Sequence, residues 1–410
     1  MDRRSVLKAA AAAGARGEAR AAAARTEVAA YYFPHYHADP RNDRWHGKGW
    51  TEWELVRAAR PRYPGHRQPI VPAWGCFDES DPAWAAREID LAAEHGVTAF
   101  IYDWYWYEDG PFLQDGLERG FLGAANRGQL RFGLMWANHD WQNIHPATFV
   151  NRPETLASGR VSRAAFDRIV THVISRYFSQ PTYLKLDGAP YFSIYELGTF
   201  VAGLGGLDRA REALEAFRAR TRAAGFPDLH LNFIVWGLTV LPSDVPQRDP
   251  ARIVRELGAA SVGSYAWVHH FDPNSAGFPR SSYARAAERN RRAWEEYRRQ
   301  FPVPYHPNVS MGWDPSPRTI QSDRYENRGY PWTAVLEGNA PGAFREALRA
   351  ARDFVAGQPE GARMVTLNAW NEWTEGSYLL PDTAAGTAYL QAVKAVFGLP
   401  ARRARERDLG

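Results

Sequence analysis

Cysteine is almost absent from this sequence. Of the 410 residues only Cys76 is a cysteine, so no disulfide can form within the chain. A lone cysteine also does not indicate a metal cluster or a redox motif. Its neighbours Trp74, Gly75 and Phe77 offer no group that would activate a thiol. We therefore expect Cys76 to be a buried or partly buried structural residue.

Long apolar runs and a strong net charge are also missing. No stretch of 18 or more apolar residues occurs, so we expect no membrane span. The formal net charge is only +4, and the arginines are spread over helical stretches such as 285–299. Such a distribution is typical of solvated helix faces, and we expect no nucleic-acid partner. We expect the protein to be a monomer.

Aromatic side chains, in contrast, are abundant. The sequence holds 16 Trp and 19 Tyr. Both side chains combine a flat apolar face with a hydrogen-bonding edge, which matches the apolar C–H faces and hydroxyl rims of sugar rings. The alternative is an aromatic-rich core, and the positions of these residues along the chain decide between the two.

The chain begins with a segment that resembles an export signal. Arg3 and Arg4 precede an apolar pair and the alanine run 9–13, which is the pattern of a twin-arginine signal. We interpret residues 1–27 as this signal or, alternatively, as a disordered extension. A working signal predicts a periplasmic or secreted protein, and otherwise the protein is cytoplasmic. Residues 399–410 read as a flexible basic tail.

Eight short β-rich runs alternate with amphipathic helical stretches between residues 28 and 398. The predicted strands are Val28–Pro34, Thr98–Trp106, Leu130–Trp136, Pro190–Tyr195, His230–Trp236, Ala260–Trp267, His306–Gly312 and Met364–Trp370. The predicted helical stretches are Pro82–His95, Leu113–Arg127, Arg163–Phe178, Leu207–Ala224, Pro250–Leu257, Tyr283–Phe301 and Ala343–Ala356. Eight βα units predict one α/β domain, a (β/α)8 TIM barrel. The alternative is a doubly wound open sheet, but this sequence has no glycine-rich phosphate loop after the first strand.

Residues 38–72 form a long first βα loop, which we expect to fold over the barrel mouth.

Aromatic and polar residues cluster where these strands end. In a TIM barrel that rim carries the active site. Buried polar groups cost free energy unless they are paired, so their concentration there favours a wet, aromatic-walled pocket over a cap on the core. The predicted substrate-binding residues are His35, Tyr36, Trp50, Glu52, Asp103, Trp104, Trp106, Trp136, Asn138, His139, Asp140, Trp141, Trp236, Trp267, Trp313, Asn371 and Trp373.

Two glutamates follow the eighth predicted strand, in the segment Asn368–Gly376. Glu372 and Glu375 are three residues apart and are flanked by Trp370 and Trp373. Glycosidic cleavage needs a proton donor and a second carboxylate, and nearby tryptophans would raise the pKa of a glutamate by desolvation. Two glutamates on a loop are usually just solvated, but this position at a strand end favours catalysis. We predict that Glu372 and Glu375 are catalytic.

A metal hydrolase is the rival interpretation. The pair His35 and His37 after the first strand fits metal-dependent amidohydrolases, but strands four, five and eight end in the wrong ligands, and only His269 or His270 fits. A serine nucleophile elbow, Gly-x-Ser-x-Gly, is absent. We therefore expect neither a catalytic metal nor a cofactor. We expect His35 to bind a substrate hydroxyl and His37 to be structural.

The sequence resembles the WbsX-type proteins, which are similar to glycoside hydrolase family 99. The resemblance spans about residues 28–395. It is carried by segments 31–36, 49–53, 59–69 and 136–138, and by Asn368–Gly376 with Pro381 and Asp382. It implies a (β/α)8 barrel and an α-mannoside-type substrate cleaved with net retention. It also implies that Glu372 deprotonates the sugar 2-hydroxyl, which forms a 1,2-anhydro sugar, and that Glu375 is the acid/base.

This sequence departs from the family pattern at facing positions. Trp104 stands where a histidine is often found, and His139 and Asp140 where a glutamate often follows. We expect these changes to affect which sugar the protein binds more than which reaction it catalyses. We therefore expect a glycoside hydrolase acting on a polysaccharide or glycan. The alternatives are a polysaccharide-biosynthesis glycosyltransferase, which many WbsX-type proteins are called, and a non-catalytic glycan-binding barrel.

Overall fold

Parallel strands form a closed barrel in the computed structural model, which describes residues 26–149 and 153–398. The strands are β1 Glu27–Tyr32, β2 Ala99–Tyr107, β3 Arg131–Trp136, β4 Ala189–Ile194, β5 His230–Ile234, β6 Ser261–Gly263, β7 Tyr305–His306, β8 Asn308–Ser310 and β9 Met364–Asn368. Their order is β7-β6-β5-β4-β3-β2-β1-β9-β8. Only Pro307 separates β7 from β8, and the two pair with opposite neighbours, so they occupy the place of one strand. The predicted eight-unit barrel is confirmed.

Helices surround this barrel. They are α1 Pro40–His46, α2 Trp53–Ala58, α3 Pro82–Glu94, α4 Arg163–His172, α5 Leu197–Gly203, α6 Leu207–Ala223, α7 Pro250–Glu256, α8 Tyr283–Gln300, α9 Pro341–Ala356 and α10 Ala388–Phe397. Capping side chains set several starts: Asp81 accepts from the Ala83 amide at α3, and Ser282 from the Arg285 amide at α8. None of the helices in the described ranges is long and apolar enough to cross a membrane.

One predicted helix is only partly formed. The stretch Leu113–Arg127 contains a π-helical turn at Gly116–Phe121 and a 3₁₀ turn at Arg127–Gln129. Glycine is a poor helix former. Here it is required, because a Cβ on Gly120 would lie 2.2 Å from the Glu79 carbonyl oxygen. Close packing against the connection between β1 and α3 therefore requires glycine at this position.

The strands alternate between two cores. On β2, Ala99 and Ile101 point into the barrel, whereas Phe100, Tyr102 and Trp104 point toward the helices. This is the two-residue period of a β-strand. The alternation determines which of the strand-end residues reach the mouth of the barrel.

The long first βα loop folds over the barrel mouth, as predicted. It carries α1 and α2 and reaches the loop after β8, where His66 Nε2 lies 2.8 Å from Asp314 Oδ2. The prediction for Cys76 was wrong: this residue is exposed, in the connection between the loop and α3. The predicted signal, apart from Thr26 and Glu27, and the predicted tail at 399–410 lie outside the described residues.

Candidate active site

A cavity opens at the carboxyl ends of the strands. It encloses about 700 Å³ of space free of protein atoms, its open mouth included. Most side chains in its walls are aromatic, and ionisable side chains line its floor. The lining residues include Phe33, Asp103, Tyr105, His139, Asp140, Trp141, His145, Tyr195, Tyr265, His269, Trp313, Arg318, Tyr330, Glu372 and Glu375. This is the place where TIM barrels carry their active sites.

Arg318 holds three carboxylates at the floor of this cavity. Its Nε donates to Glu52 Oε1 at 2.8 Å, its Nη2 to Glu372 Oε2 at 3.0 Å and its Nη1 to Glu375 Oε1 at 2.6 Å. All four residues are at least 95% buried. We call them the Arg318 network. A planar guanidinium has donors on several edges, so one arginine can fix three carboxylates in defined positions.

Hydroxyl groups complete this network. Tyr330 donates to Glu375 Oε1 at 2.8 Å and also contacts Arg318. Thr374 accepts from Arg318 Nε at 2.9 Å and contacts Glu52. Behind them, His35 Nδ1 lies 2.6 Å from Glu52 Oε2. The side chains that surround the two predicted catalytic glutamates are thus tied to the first βα loop.

A second set of hydrogen bonds enters from the opposite wall. Tyr265 Oη donates to Asp103 Oδ2 at 2.8 Å and lies 3.2 Å from Glu372 Oε1. Glu372 therefore has Arg318 on one carboxylate oxygen and Tyr265 on the other. This fixes the plane of its carboxyl group.

Burial dominates the ionisation of these groups. It raises the pKa of Glu372 well above the usual value and raises the pKa of Glu375, with Arg318 opposing both shifts. Burial also raises the pKa of Asp103. Burial would raise the pKa of Glu52 too, but Arg318 and His35 reverse this and hold the pKa below its usual range. Glu52 and Arg318 thus form an ion pair, beside which Glu372 and Glu375 hold protons more tightly.

The chain folds tightly around the two glutamates. Asn371–Glu372 pairs with Ser377–Tyr378, and Trp373–Glu375 forms a 3₁₀ turn between them. Gly376 ends the turn with φ of 63°, and its Cα lies against Asp314, so a Cβ there would come within 2.6 Å of the Asp314 Cβ. This turn directs Glu372 and Glu375 to the same guanidinium.

Seven of the predicted catalytic and substrate-binding residues line the cavity. They are Asp103, His139, Asp140, Trp141, Trp313, Glu372 and Glu375. They come from strand ends around the barrel, and the structure brings them together at one site. Glu52 and His35 lie directly behind them, fully buried, and act on the cavity through Arg318.

The structure places the remaining candidates away from the cavity. Trp104, Trp106 and Trp136 lie on the outer side of their strands, where Trp104 and Trp106 pack on His172 and Trp136 packs on Phe166. Their positions follow from the strand alternation, because Asp103, Tyr105 and Met135 hold the inward positions. The other residues in this set fill the surrounding packing: Tyr36, Trp50, Trp236, Trp267 and Trp373.

The side-chain amides of two predicted substrate-binding residues form hydrogen bonds with main-chain groups. Asn371 accepts from the Phe33 amide at 2.8 Å and donates to the Phe33 carbonyl at 2.9 Å. Asn138 accepts from the Glu196 amide at 2.8 Å and donates to its carbonyl at 2.8 Å. Both amides join neighbouring strand ends. Asn371 thereby positions Glu372 rather than presenting its amide to a sugar.

Sequence reasoning missed several residues of the site. Arg318, Tyr330 and His145 lie on loops with no recognisable motif. Tyr265 lies within a predicted strand, two residues before Trp267, and the alternation of that strand could have identified it as an inward position.

The donor atoms of His35, Glu52 and His145 lie within 4.8 Å of one another, and this is a group that could hold a metal ion.

The fold and the site define a (β/α)8-barrel protein in which buried carboxyl groups meet aromatic walls at the carboxyl ends of the strands. The chain belongs to the family described as glycosyltransferase WbsX, whose model matches residues 28–393. The protein WxcX of Xanthomonas campestris pv. campestris, strain B100, is 28% identical over 370 residues. That match covers 90% of this chain and 49% of WxcX, so the chain spans about half the length of this relative.

Solved structures share the fold. The GH99 endo-alpha-mannosidase from Bacteroides thetaiotaomicron superimposes with a TM-score of 0.53 at 13% identity, over 90% of this chain and 96% of that one. A structure described as a glycoside hydrolase-like protein gives a TM-score of 0.60 at 14% identity, over 92% and 95% of the two chains. At these identities the likeness shows the barrel fold alone.

Proposed function

We propose that this protein is a glycoside hydrolase that acts on a polysaccharide or glycan. The observation that carries the proposal is the pair Glu372 and Glu375, both buried and both held by Arg318 at the floor of an aromatic-walled cavity. Glycosidic cleavage needs two carboxyl groups of this kind, one that gives a proton and one that takes a proton or attacks.

The charge balance of the Arg318 network supports this division of labour. Glu52 and Arg318 neutralise each other, which leaves Glu372 and Glu375 without a full counter-charge. Two neighbouring buried carboxyl groups do not both ionise easily, so the pair tends to keep one proton. A pair with one proton contains one acid and one base, as the reaction requires.

We assign the base to Glu372 and the acid to Glu375, as the resemblance to family 99 implies. Glu372 takes the proton of the sugar 2-hydroxyl as O2 attacks the anomeric carbon, and Glu375 gives its proton to the leaving oxygen. The glycosidic bond breaks as the 1,2-anhydro ring closes. Water then opens the ring at the anomeric carbon, giving its proton to Glu375, while Glu372 returns its proton to O2. Two inversions give net retention.

The walls suit a sugar. Trp141, Trp313, Tyr105 and Tyr195 offer aromatic faces, while Asp140 and His139 offer hydrogen-bonding groups. An α-mannoside is the leading substrate class, because the solved relative of this fold named above is an endo-alpha-mannosidase. His139 and Asp140, which depart from the family pattern, are where a different sugar would be selected.

The test is hydrolysis of a panel of bacterial polysaccharides and α-mannans, with NMR of the first product formed. We expect a product with the anomeric configuration of the substrate. An inverted product contradicts the 1,2-anhydro route and leaves hydrolysis standing. Glycan binding without turnover on a broad panel supports a non-catalytic glycan-binding barrel instead.

The family description favours a second candidate, a polysaccharide-biosynthesis glycosyltransferase. Such an enzyme would need a nucleotide-sugar donor. Calorimetric titration with a panel of nucleotide sugars tests this, and micromolar binding that is competed by the free nucleotide would favour transfer. Export of the chain would argue against the glycosyltransferase candidate, because nucleotide-sugar donors are cytoplasmic. A reporter fused after residue 27 reads out that export, with Arg3→Lys plus Arg4→Lys as its control.

A further inference from the structure

Three buried donor groups meet beside the cavity, each from a different segment. His35 follows β1, Glu52 immediately precedes α2, and His145 lies in the loop after β3. One donor atom from each lies within 4.8 Å of the others. The exposed fractions are 0% for His35 and Glu52 and 5% for His145. Segments distant in sequence thus bring two imidazoles and a carboxylate to one point.

A ring nitrogen in this group has no hydrogen-bond partner. His145 Nδ1 is buried and unpartnered. His35 directs Nδ1 to Glu52 Oε2, 2.6 Å away, so Nδ1 is the His35 nitrogen that lies beside the carboxylate. Buried polar atoms nearly always have a partner, so His145 Nδ1 requires an explanation. The mechanism proposed above uses neither nitrogen.

We infer that His35, Glu52 and His145 form a binding site for a divalent transition-metal ion, with Zn²⁺ as its best match. Two imidazoles and one carboxylate are ligands that Zn²⁺ favours, whereas Mg²⁺ and Ca²⁺ prefer oxygen alone. Three protein ligands leave a fourth position for water. Of the three residues, His145 lines the cavity.

Binding of a zinc ion requires small movements of the three side chains. The ligands of a tetrahedral zinc ion lie at about 2.0–2.2 Å from the metal and so about 3.3 Å from one another. The three donors, now up to 4.8 Å apart, would have to close in by rotation of their side chains. Glu52 can keep Oε1 on Arg318 Nε, 2.8 Å away, while Oε2 and His35 Nδ1 exchange the hydrogen bond between them for bonds to the metal.

The charges around the site also allow a divalent ion to bind. Arg318, which contacts Glu52, would repel the ion, but Arg318 already contacts three carboxylates. An added divalent ion would therefore enter an acid-rich cluster. It would join the first βα loop to the loop after β3. This inference does not depend on the proposed hydrolase activity.

The experiment is zinc titration of the full-length, tag-free protein after treatment with EDTA and dialysis. We expect calorimetry and elemental analysis to give one Zn²⁺ per chain, with little response to Mg²⁺ or Ca²⁺. Co²⁺ should give visible absorption bands typical of low-coordinate nitrogen and oxygen ligands. The readouts are metal content, affinity and spectrum, so failure of the hydrolase proposal would not affect them.

The variants His35→Gln and His145→Gln locate the site. Glutamine retains bulk and polarity, and circular dichroism checks the fold. We expect each variant to bind Zn²⁺ about 100-fold more weakly and to lose the Co²⁺ bands. His66→Gln is the matched control: His66 is a buried histidine that contacts Asp314 at 2.8 Å, outside the proposed site. Equal zinc uptake by wild type and by both folded variants, or no uptake by wild type, overturns the inference.

Discussion

Two regions of this molecule combine buried carboxyl groups with aromatic rings, and only one of them is suited to chemistry. The first is the cavity floor, with the Arg318 network. The second is the layer between the barrel and α3, where Glu88 accepts from Tyr32 Oη and from Trp370 Nε1, each at 3.0 Å. Glu88 and Glu372 are both nearly fully buried. The regions differ in their counter-charge and in the space beside the carboxyl group.

This difference is the basis for the different roles that we propose for the two regions. The two donors to Glu88 are neutral, and burial raises its pKa to about 8, so it is a neutral hydrogen-bonding group in the core. Glu372 and Glu375 share Arg318, which opposes the effect of burial, and they border open space. Burial and aromatic neighbours alone therefore do not identify a catalytic carboxyl group. A shared cation and an adjacent cavity are the features on which we base the proposed catalytic pair.

The largest effect should come from the glutamates themselves. We expect Glu375→Gln to lower kcat on an unactivated glycoside by about 10³-fold or more, because the leaving oxygen loses its proton donor. Binding should change little. The measurement is steady-state kinetics alongside calorimetric titration of the glycan.

Glu88→Gln is the matched control, since it also neutralises a buried glutamate beside a tryptophan. Its kcat should stay within about threefold of wild type. If Glu372→Gln and Glu375→Gln both keep near wild-type activity, the assignment of the catalytic pair fails.

The next largest effect concerns Arg318. A lysine keeps the charge but cannot donate to three carboxylates in fixed directions. We expect Arg318→Lys to lower kcat by about 10²-fold. We also expect the acidic limb of its pH–rate profile to move to higher pH, because Arg318 now lowers the pKa of Glu372 and of Glu375. Arg163→Lys, in an exposed pair with Asp167, is the control. An unchanged profile would contradict the role given to Arg318.

A smaller effect appears in stability. The pKa of Glu88 rises from 4.5 to about 8 on folding, so the folded state holds a proton that the unfolded chain releases between these values. Its contribution to stability is complete below pH 4.5 and is lost as pH rises toward 8. Between pH 5.5 and 7.5 we expect wild type to lose roughly 2 kcal/mol relative to Glu88→Gln. Urea unfolding at several pH values measures this, and parallel curves would contradict it.

Much of the fold could be predicted because the strand and helix periods are strong. The eight predicted strands match the barrel to within a few residues at their ends. The site could be predicted only in part. Glu372 and Glu375 stand in a distinctive segment, but Arg318 and Tyr330 come from the loop region between β8 and α9, and only tertiary structure brings them to the glutamates. The inner and outer faces of β2 follow from its alternation once Asp103 is taken as inward.

Two tryptophans test that alternation with the smallest expected effect. Trp313 lines the cavity and donates from Nε1 to Thr333 Oγ1 at 2.8 Å, whereas Trp104 lies behind the barrel wall and donates to Gln114 Oε1 at 2.5 Å. Both are buried, so each phenylalanine substitution removes a similar ring and one hydrogen bond. Trp313→Phe should raise KM by about 3–10-fold, because a sugar face loses contact area. Trp104→Phe should lower the melting temperature and leave KM within twofold. A larger change in KM for Trp104→Phe would mean that the outer face of β2 affects substrate binding, and that the cavity and the barrel–helix layer are not functionally separate.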